Sequence, residues 1–369
     1  MNPARRHWRL ITAVVVMLLV VVMAGRLQGR DLAHGDAEPS RSTSATVSTD
    51  DAPLAAGLAV AGRMALPGQP AAVAVGEGAV WVLLEQGTLL RVDPDRDQVT
   101  GRLELGAPTG GMRVGPLAVG AGAVWVGTRE ATVTARVDPV RLRVTARLGG
   151  HVAAVARGML WSYCCRRGDK VTGFGRVDAR TLRPAPPLLV KDASGKPRPV
   201  GWFTVGTDAL WTAAFEDHRV WRVPLAGGPA HAVVWVSGFP FRLAAGNGAV
   251  WLLSGTGERG SGRDRSGRLR RLDPRTGEVT ATTPLPDLDV GRVDAEVGLV
   301  AGDGAVWVAG PDARTLHAGG MLLWVDPASG RVAGWLRDPR WFFREVLAAG
   351  PRGVWVATAA PELLHVVVV

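Results

Sequence analysis

One short tract, repeated along most of the chain, limits what this sequence can fold into more than any other feature. Gly78-Ala79-Val80-Trp81-Val82 returns as Gly122-Ala123-Val124-Trp125-Val126, Gly248-Ala249-Val250-Trp251-Leu252, Gly304-Ala305-Val306-Trp307-Val308 and Gly353-Val354-Trp355-Val356. Gly158-Met159-Leu160-Trp161 and Asp208-Ala209-Leu210-Trp211 are weaker copies, and the intervals between successive tryptophans are 44, 36, 50, 40, 56 and 48 residues. A period of about 40–50 residues is the spacing of propeller blades, each a small sheet that hides its apolar faces only against its neighbours.

The neighbours of each tract repeat as well. In the first copy, 71–75 reads as an apolar strand, Gly76-Glu77-Gly78 as a tight turn, and 79–84 as a strand apolar on both faces, which must therefore be covered on both. Residues 88–92 form a third strand ending in Asp93-Pro94, and 98–105 a fourth, more polar one. Asp-Pro returns at Asp138-Pro139, Asp273-Pro274 and Asp326-Pro327, where Asp accepts a local N–H and Pro presets φ, so these aspartates read as turn residues and not as calcium ligands. The tryptophans read as wedges between blades. Glycine at 48 residues and proline at 25, in a valine-rich chain with one tyrosine, fit many short strands and turns.

The last copy lacks a fourth strand, while residues 58–66 precede the first complete unit. Their Gly62-Arg63-Met64-Ala65-Leu66 resembles Gly101-Arg102-Leu103-Glu104-Leu105 of a fourth strand. The expected fold is thus all-β: a seven-bladed propeller of four-stranded blades, closed by an N-terminal strand that completes the last blade.

An N-terminal hydrophobic helix is expected to precede it. Arg5, Arg6 and Arg9 lead into an uninterrupted apolar run at 10–25, and Arg26 and Arg30 follow. That length lies between a signal-peptide core and a membrane span of about 20 residues, so a signal-anchor and a cleaved signal ending at Val22-Met23-Ala24 are both open. The expected organisation is a cytoplasmic basic segment (1–9), this helix (10–25), a flexible linker (26–56) and the propeller (57–369). The flanking charges place the propeller outside the cytoplasm, as a single-pass membrane protein or a secreted one.

With its blade motifs in view, the chain resembles the bacterial YVTN, quinoprotein-like and streptogramin-lyase-like propeller superfamily. The likeness rests on Gly-x-Val-Trp-Val and Arg-Val/Leu-Asp-Pro segments and spans 58–369. It implies architecture, because the shared residues build blades. In the lyase members it would imply a histidine base and metal-binding glutamates near the central opening, and this chain has no matching motif. The repeats and calcium ligands of large quinone-dependent dehydrogenases are absent as well.

Function is sought in what does not repeat. Loops between blades, and between second and third strands, emerge on one face, and here they are the irregular ones. Residues 255–268 carry Arg259 and Arg263, which would suit capture of a phosphate or carboxylate or simply face solvent. Arg340, Trp341, Phe342, Phe343 and Arg344 have the composition of an interaction hot spot, though such rings also pack between blades; Trp235, Phe239 and Phe241 form a second aromatic group.

Adjacent Cys164 and Cys165 leave three readings open: a vicinal disulfide, two buried thiols, or a redox-active pair. No nucleophile elbow or phosphate loop is present. The leading reading is a non-catalytic binding scaffold with no cofactor, whose partner is a protein, a cell-wall polymer or a small anionic ligand. A net charge of +10 is spread over scattered arginines, so nucleic acid is not the expected partner. The alternative is a lyase or hydrolase assisted by a divalent metal, with His218, Glu216, Asp217 or His317 at the channel mouth.

Overall fold

The computed structural model describes residues 54–106, 117–127, 133–214, 217–236, 240–255, 266–290, 297–315, 319–338 and 343–369; side chains at 54–55, 240–241 and 343–345 are not described. Seven antiparallel sheets follow one another around the molecule. Blades one to six cover 70–104, 117–149, 154–189, 202–235, 240–289 and 298–338, each an up-and-down meander of four consecutive strands. In the last blade Phe343–Gly350, Gly353–Thr358 and Glu362–Val368 are joined by Leu58–Ala65, which pairs antiparallel with Glu362–Val368 from Leu58↔Val368 to Ala65↔Glu362. The fold is an all-β, seven-bladed propeller.

The first blade shows why these residues take these places. Its strands are Pro70–Gly76, Ala79–Leu84, Thr88–Asp93 and Gln98–Glu104, and every residue of the second is buried. The turn before that strand has positive φ at both central residues, 50° at Glu77 and 74° at Gly78, the geometry of a type I′ hairpin whose twist matches the strands. The same pair of angles recurs at Ala121-Gly122, Arg157-Gly158, Asn247-Gly248 and Asp303-Gly304. Glycine recurs in the tract because the second position needs a left-handed backbone.

Core lies between blades. Buried clusters join each blade to the next: Leu83 meets Val124 and Val126, Trp125 meets Leu160, Trp161 meets Leu210, and Trp211 meets Val250. Trp251 then packs with Val306, Trp307 with Val354, and Trp355 with Val80 and Val82 of the first blade. All seven repeated tryptophans are at most 2% exposed. Four donate their indole N–H to the carbonyl five residues earlier, from Trp81 to Gly76 at 3.0 Å to Trp251 to Gly246 at 3.3 Å. They are wedges with a satisfied polar end.

Trp355 differs. Its indole N–H donates to Asp97 Oδ1 of the first blade (3.3 Å), and its ring stacks on His365 at 4.4 Å. His365 Nδ1 lies 2.9 Å from Asp97 Oδ2 and Nε2 lies 3.1 Å from the Arg352 carbonyl, while Arg352 pairs with Asp95 at 2.6 Å. This latch ties the last blade to the first.

The linker expected to run to residue 56 ends sooner. Leu54–Ala56 is a strand on the outer edge of blade six, pairing Leu54↔Arg337 and Ala56↔Trp335. An unpaired edge strand offers open N–H and C=O groups, and this segment fills them. The apolar segment 10–25 lies outside the described residues; among those, no helix is long and apolar enough to cross a membrane.

The aspartates of the outer turns accept backbone N–H groups from residues two and three further on, as Asp93 does from Asp95 (2.8 Å) and Arg96 (3.2 Å). Asp138, Asp273 and Asp326 repeat the pattern, and so does Asp178, which the sequence hides because Ala179 follows it instead of proline. These bonds hold the carboxyls below their ordinary value of 3.8; a backbone N–H is the largest cause at four of them, and the Ser329 hydroxyl at Asp326. A depressed folded pKa contributes stability that is whole above the unfolded value and is lost as pH falls through the folded one. The melting temperature is therefore expected to stay level from neutral pH to about 5 and to drop below about 4. A melt followed from pH 7 to 3 that stays level throughout would contradict the turn role.

Candidate functional site

Two sets of connections leave this fold on opposite sides. One side carries the type I′ and aspartate turns just described, nearly the same in blades one, two, three, five and six. The other carries the connections between blades and those from second to third strands, which vary in length and composition. Its best described sector belongs to blades three to five.

There the strand Met159–Arg167 carries Tyr163, Cys164 and Cys165 in its second half. Cys164 and Cys165 are bonded to each other across adjacent Cα atoms 3.8 Å apart, and Cys165 has φ of 64°, a left-handed backbone unusual for a side-chain-bearing residue. The Thr172 hydroxyl donates to the Cys165 carbonyl. Of the three readings of this pair, the structure shows the vicinal disulfide. Beside it, the rings of Tyr163, Phe174 and Phe203 meet at centroid distances of 4.7–5.7 Å. Tyr163 donates its hydroxyl to the Gly201 carbonyl (2.9 Å), and burial pushes its pKa up. The Arg242 guanidinium sits 3.8 Å from the Trp202 ring.

The charged groups next to this aromatic patch are tied to one another. Arg198 donates to Asp192 Oδ2 through Nε (3.0 Å) and Nη2 (2.7 Å), and its guanidinium lies 5.0 Å from the Trp221 ring. Asp192 also accepts from the Ser194 hydroxyl, the largest cause of a pKa brought down to about 2, with the Lys196 N–H and Arg198 adding to it. Asp217 Oδ2 accepts the Trp221 indole N–H, while Oδ1 lies 4.0 Å from Arg198. Asp217 thus clamps the base of the connection it stands in.

The residues singled out in the sequence fall as follows. Asp217 and His218 are described; His218 has φ of 49°, its carbonyl accepts the Val236 N–H (2.8 Å), and its ring lies 6.4 Å from that of Trp235, which is 65% exposed. Glu216, His317, Arg259, Arg263, Arg340, Trp341, Phe342 and Phe239 lie outside the described residues, and Phe241, Phe343 and Arg344 are described in backbone only. Among the described residues, no group of three His, Cys, Asp or Glu side chains is placed to hold a metal ion. Arg198, Asp192, Trp202 and Arg242 were missed. Their one signal in the sequence is position, since all stand in or beside connections that break the repeat.

No family model and no curated protein matches this chain. Solved structures do. The β-propeller domain of Cps50 (Swd1) from Myceliophteria thermophila is 11% identical, aligns over 85% of this chain and 100% of its own, and gives a TM-score of 0.59. Hydrazine synthase from Kuenenia stuttgartiensis is 14% identical over 82% and 96%, with a TM-score of 0.55. BamB from Moraxella catarrhalis is 14% identical over 82% and 85%, at a TM-score of 0.45. At these identities the first two likenesses bear on the fold class, a propeller, and go no further.

Proposed function

We propose that this chain is a non-catalytic binding scaffold displayed outside the cytoplasm. It is tethered by the apolar segment 10–25 or released after that segment is cleaved, and its ring is closed by Leu58–Ala65. The observation that carries the binding reading is the state of Asp217. This carboxylate, a candidate acid or base in the sequence, is engaged by Trp221 and Arg198, in a patch made of arginines against aromatic rings. The half-buried members of this patch, Arg198, Trp202 and Arg242, suit recognition.

Export is supported by the arginines before the apolar run, by the Ser- and Thr-rich spacer after it, and by the disulfide, which persists in oxidising compartments. Residues 340–344 extend the same aromatic and arginine composition to the connection between blades six and seven. The partner is a protein, a wall polymer or a small anionic ligand.

The test is affinity capture with the full chain as bait, comparing wild type with a Trp341→Ala/Arg344→Ala double variant against cell-envelope and cytosolic extracts. Saturable capture from the envelope that falls at least about tenfold in the double variant, at unchanged melting temperature, supports the reading. Capture that is indifferent to the variant contradicts the assigned contact. A stoichiometric divalent metal lost on His218→Ala or His317→Ala would move the reading to a metal-assisted lyase or hydrolase.

A further inference from the structure

We infer that the cleft between blades five and six is a binding site for a small amphipathic carboxylate. The inference takes its ligand class from the binding reading above, yet its cation, Arg314, and its floor, Leu285, Met321 and Leu323, stand apart in sequence from 340–344. The cleft has a volume of about 430 Å³, within the ~300–1,000 Å³ usual for small-molecule sites. Its floor is apolar: Leu285 from the outer strand of blade five, and Met321 and Leu323 from blade six, are all at most 4% exposed. Trp335 forms part of the wall, and the bridge between Leu288 and Asp312 joins the two blades nearby.

Three charged side chains line this cleft, and two of them are spoken for. Arg337 pairs with Asp287, lies 3.5 Å from buried Asp312, and stands over the Trp335 ring at 4.9 Å. Arg314 is the third. Its backbone N–H donates to Asp312 Oδ1 (2.9 Å), fixing the short 3₁₀ turn Ala313–Thr315, while its exposed guanidinium has no acidic partner among the described residues. An arginine with no carboxylate of the described residues in ion-pair reach, at the rim of an apolar cleft, selects an anion with an apolar body. A carboxylate gives the planar guanidinium a two-oxygen acceptor, and the body covers Leu285, Met321 and Leu323.

An extended peptide strand is a poorer occupant, because both edges beside the cleft are blocked. Pro284 and Pro286 lie in the outer strand of blade five and have no N–H to offer a ladder. The outer edge of blade six is covered by Leu54–Ala56 across Trp335, Leu336 and Arg337. Strand addition needs an open edge, and a compact ligand does not.

The experiment is calorimetric titration of the full chain in lipid nanodiscs, with empty nanodiscs as blank, using naphthalene-2-carboxylate and its uncharged carboxamide. The carboxylate is expected to bind at least about tenfold more tightly than the amide, the scale of one charge-assisted hydrogen bond. Arg314→Gln should bring the two to equal affinity, whereas Arg180→Gln, on an outer turn of blade three, should leave the preference intact. Met321→Trp, filling the floor, should abolish both; should it fail to fold, exposed Arg314 still decides. Equal binding of the two probes to wild type, no binding of either, or a preference that survives Arg314→Gln would overturn the site. Loss of the cleft result with partner capture intact removes the cleft alone, and loss of capture with carboxylate binding intact removes the partner contact at 340–344.

Discussion

Removing residues 363–369 from the full chain is expected to abolish cooperative melting of the propeller. That segment makes up nearly all of Glu362–Val368, which pairs with Gly353–Thr358 on one side and with Leu58–Ala65 on the other. Its loss strips Leu58–Ala65 of its strand partner and bares one edge of Gly353–Thr358, which keeps its pairing with Phe343–Gly350. Leu363, Leu364 and Val366 are at most 1% exposed, and at ~1.5–3 kcal/mol for each buried aliphatic side chain their removal alone is on the scale of a whole domain's ~5–15 kcal/mol. His365 goes with them, leaving Asp97 without its ring partner and Trp355 without its stack. Calorimetry reads the outcome directly. A truncated chain that melts at the same temperature with the same cooperativity would refute the role given to this strand.

Trp81→Ala is expected to lower stability by about 3–5 kcal/mol, the usual cost of emptying a buried aromatic site. Trp81 is fully buried among Leu83, Leu89, Val124 and Val126, so the cavity opens against two blades at once. The Gly76 carbonyl also loses the indole N–H it now accepts at 3.0 Å. Trp235→Ala, at a ring that is 65% exposed, is the control and should change stability by no more than about 0.5 kcal/mol. Urea unfolding of both variants separates the cases. Equal small losses would mean that the repeated ring is not the wedge it is described as here.

Much of the fold was legible because its determinants are local and repeat. Strands expected at 71–75, 79–84, 88–92 and 98–105 occur as Pro70–Gly76, Ala79–Leu84, Thr88–Asp93 and Gln98–Glu104, since a run buried on both faces and a left-handed turn each leave a mark on nearby residues. The turn at Asp178 was missed for the same reason: the carboxylate makes the turn, while the proline that advertises it elsewhere is missing. The latch was beyond reach, because Asp97 and His365 stand 268 residues apart and nothing near either points to the other.

The sites were less legible still. Asp217 is a candidate for chemistry in the sequence, and its contacts with Trp221 and Arg198 emerge only in the folded chain. The cleft draws its floor from two blades and its cation from a turn between strands, so no contiguous stretch encodes it. Connections that escape the repeat escape its rules as well, and composition says little about which groups they bring together.

The most direct test of the account is whether the two ends of the propeller chain meet in one blade. Ala59 and Val367 are paired across the strands Leu58–Ala65 and Glu362–Val368, and Cα atoms of paired antiparallel residues stand about 4.5–5.5 Å apart, within reach of a disulfide. Ala59→Cys combined with Val367→Cys should give a bond between those two positions under mild oxidation, found by peptide mapping before and after reduction, together with a raised melting temperature. If the two cysteines stay reduced in the folded protein, or bond only between molecules, the ring is not closed by this pair of strands.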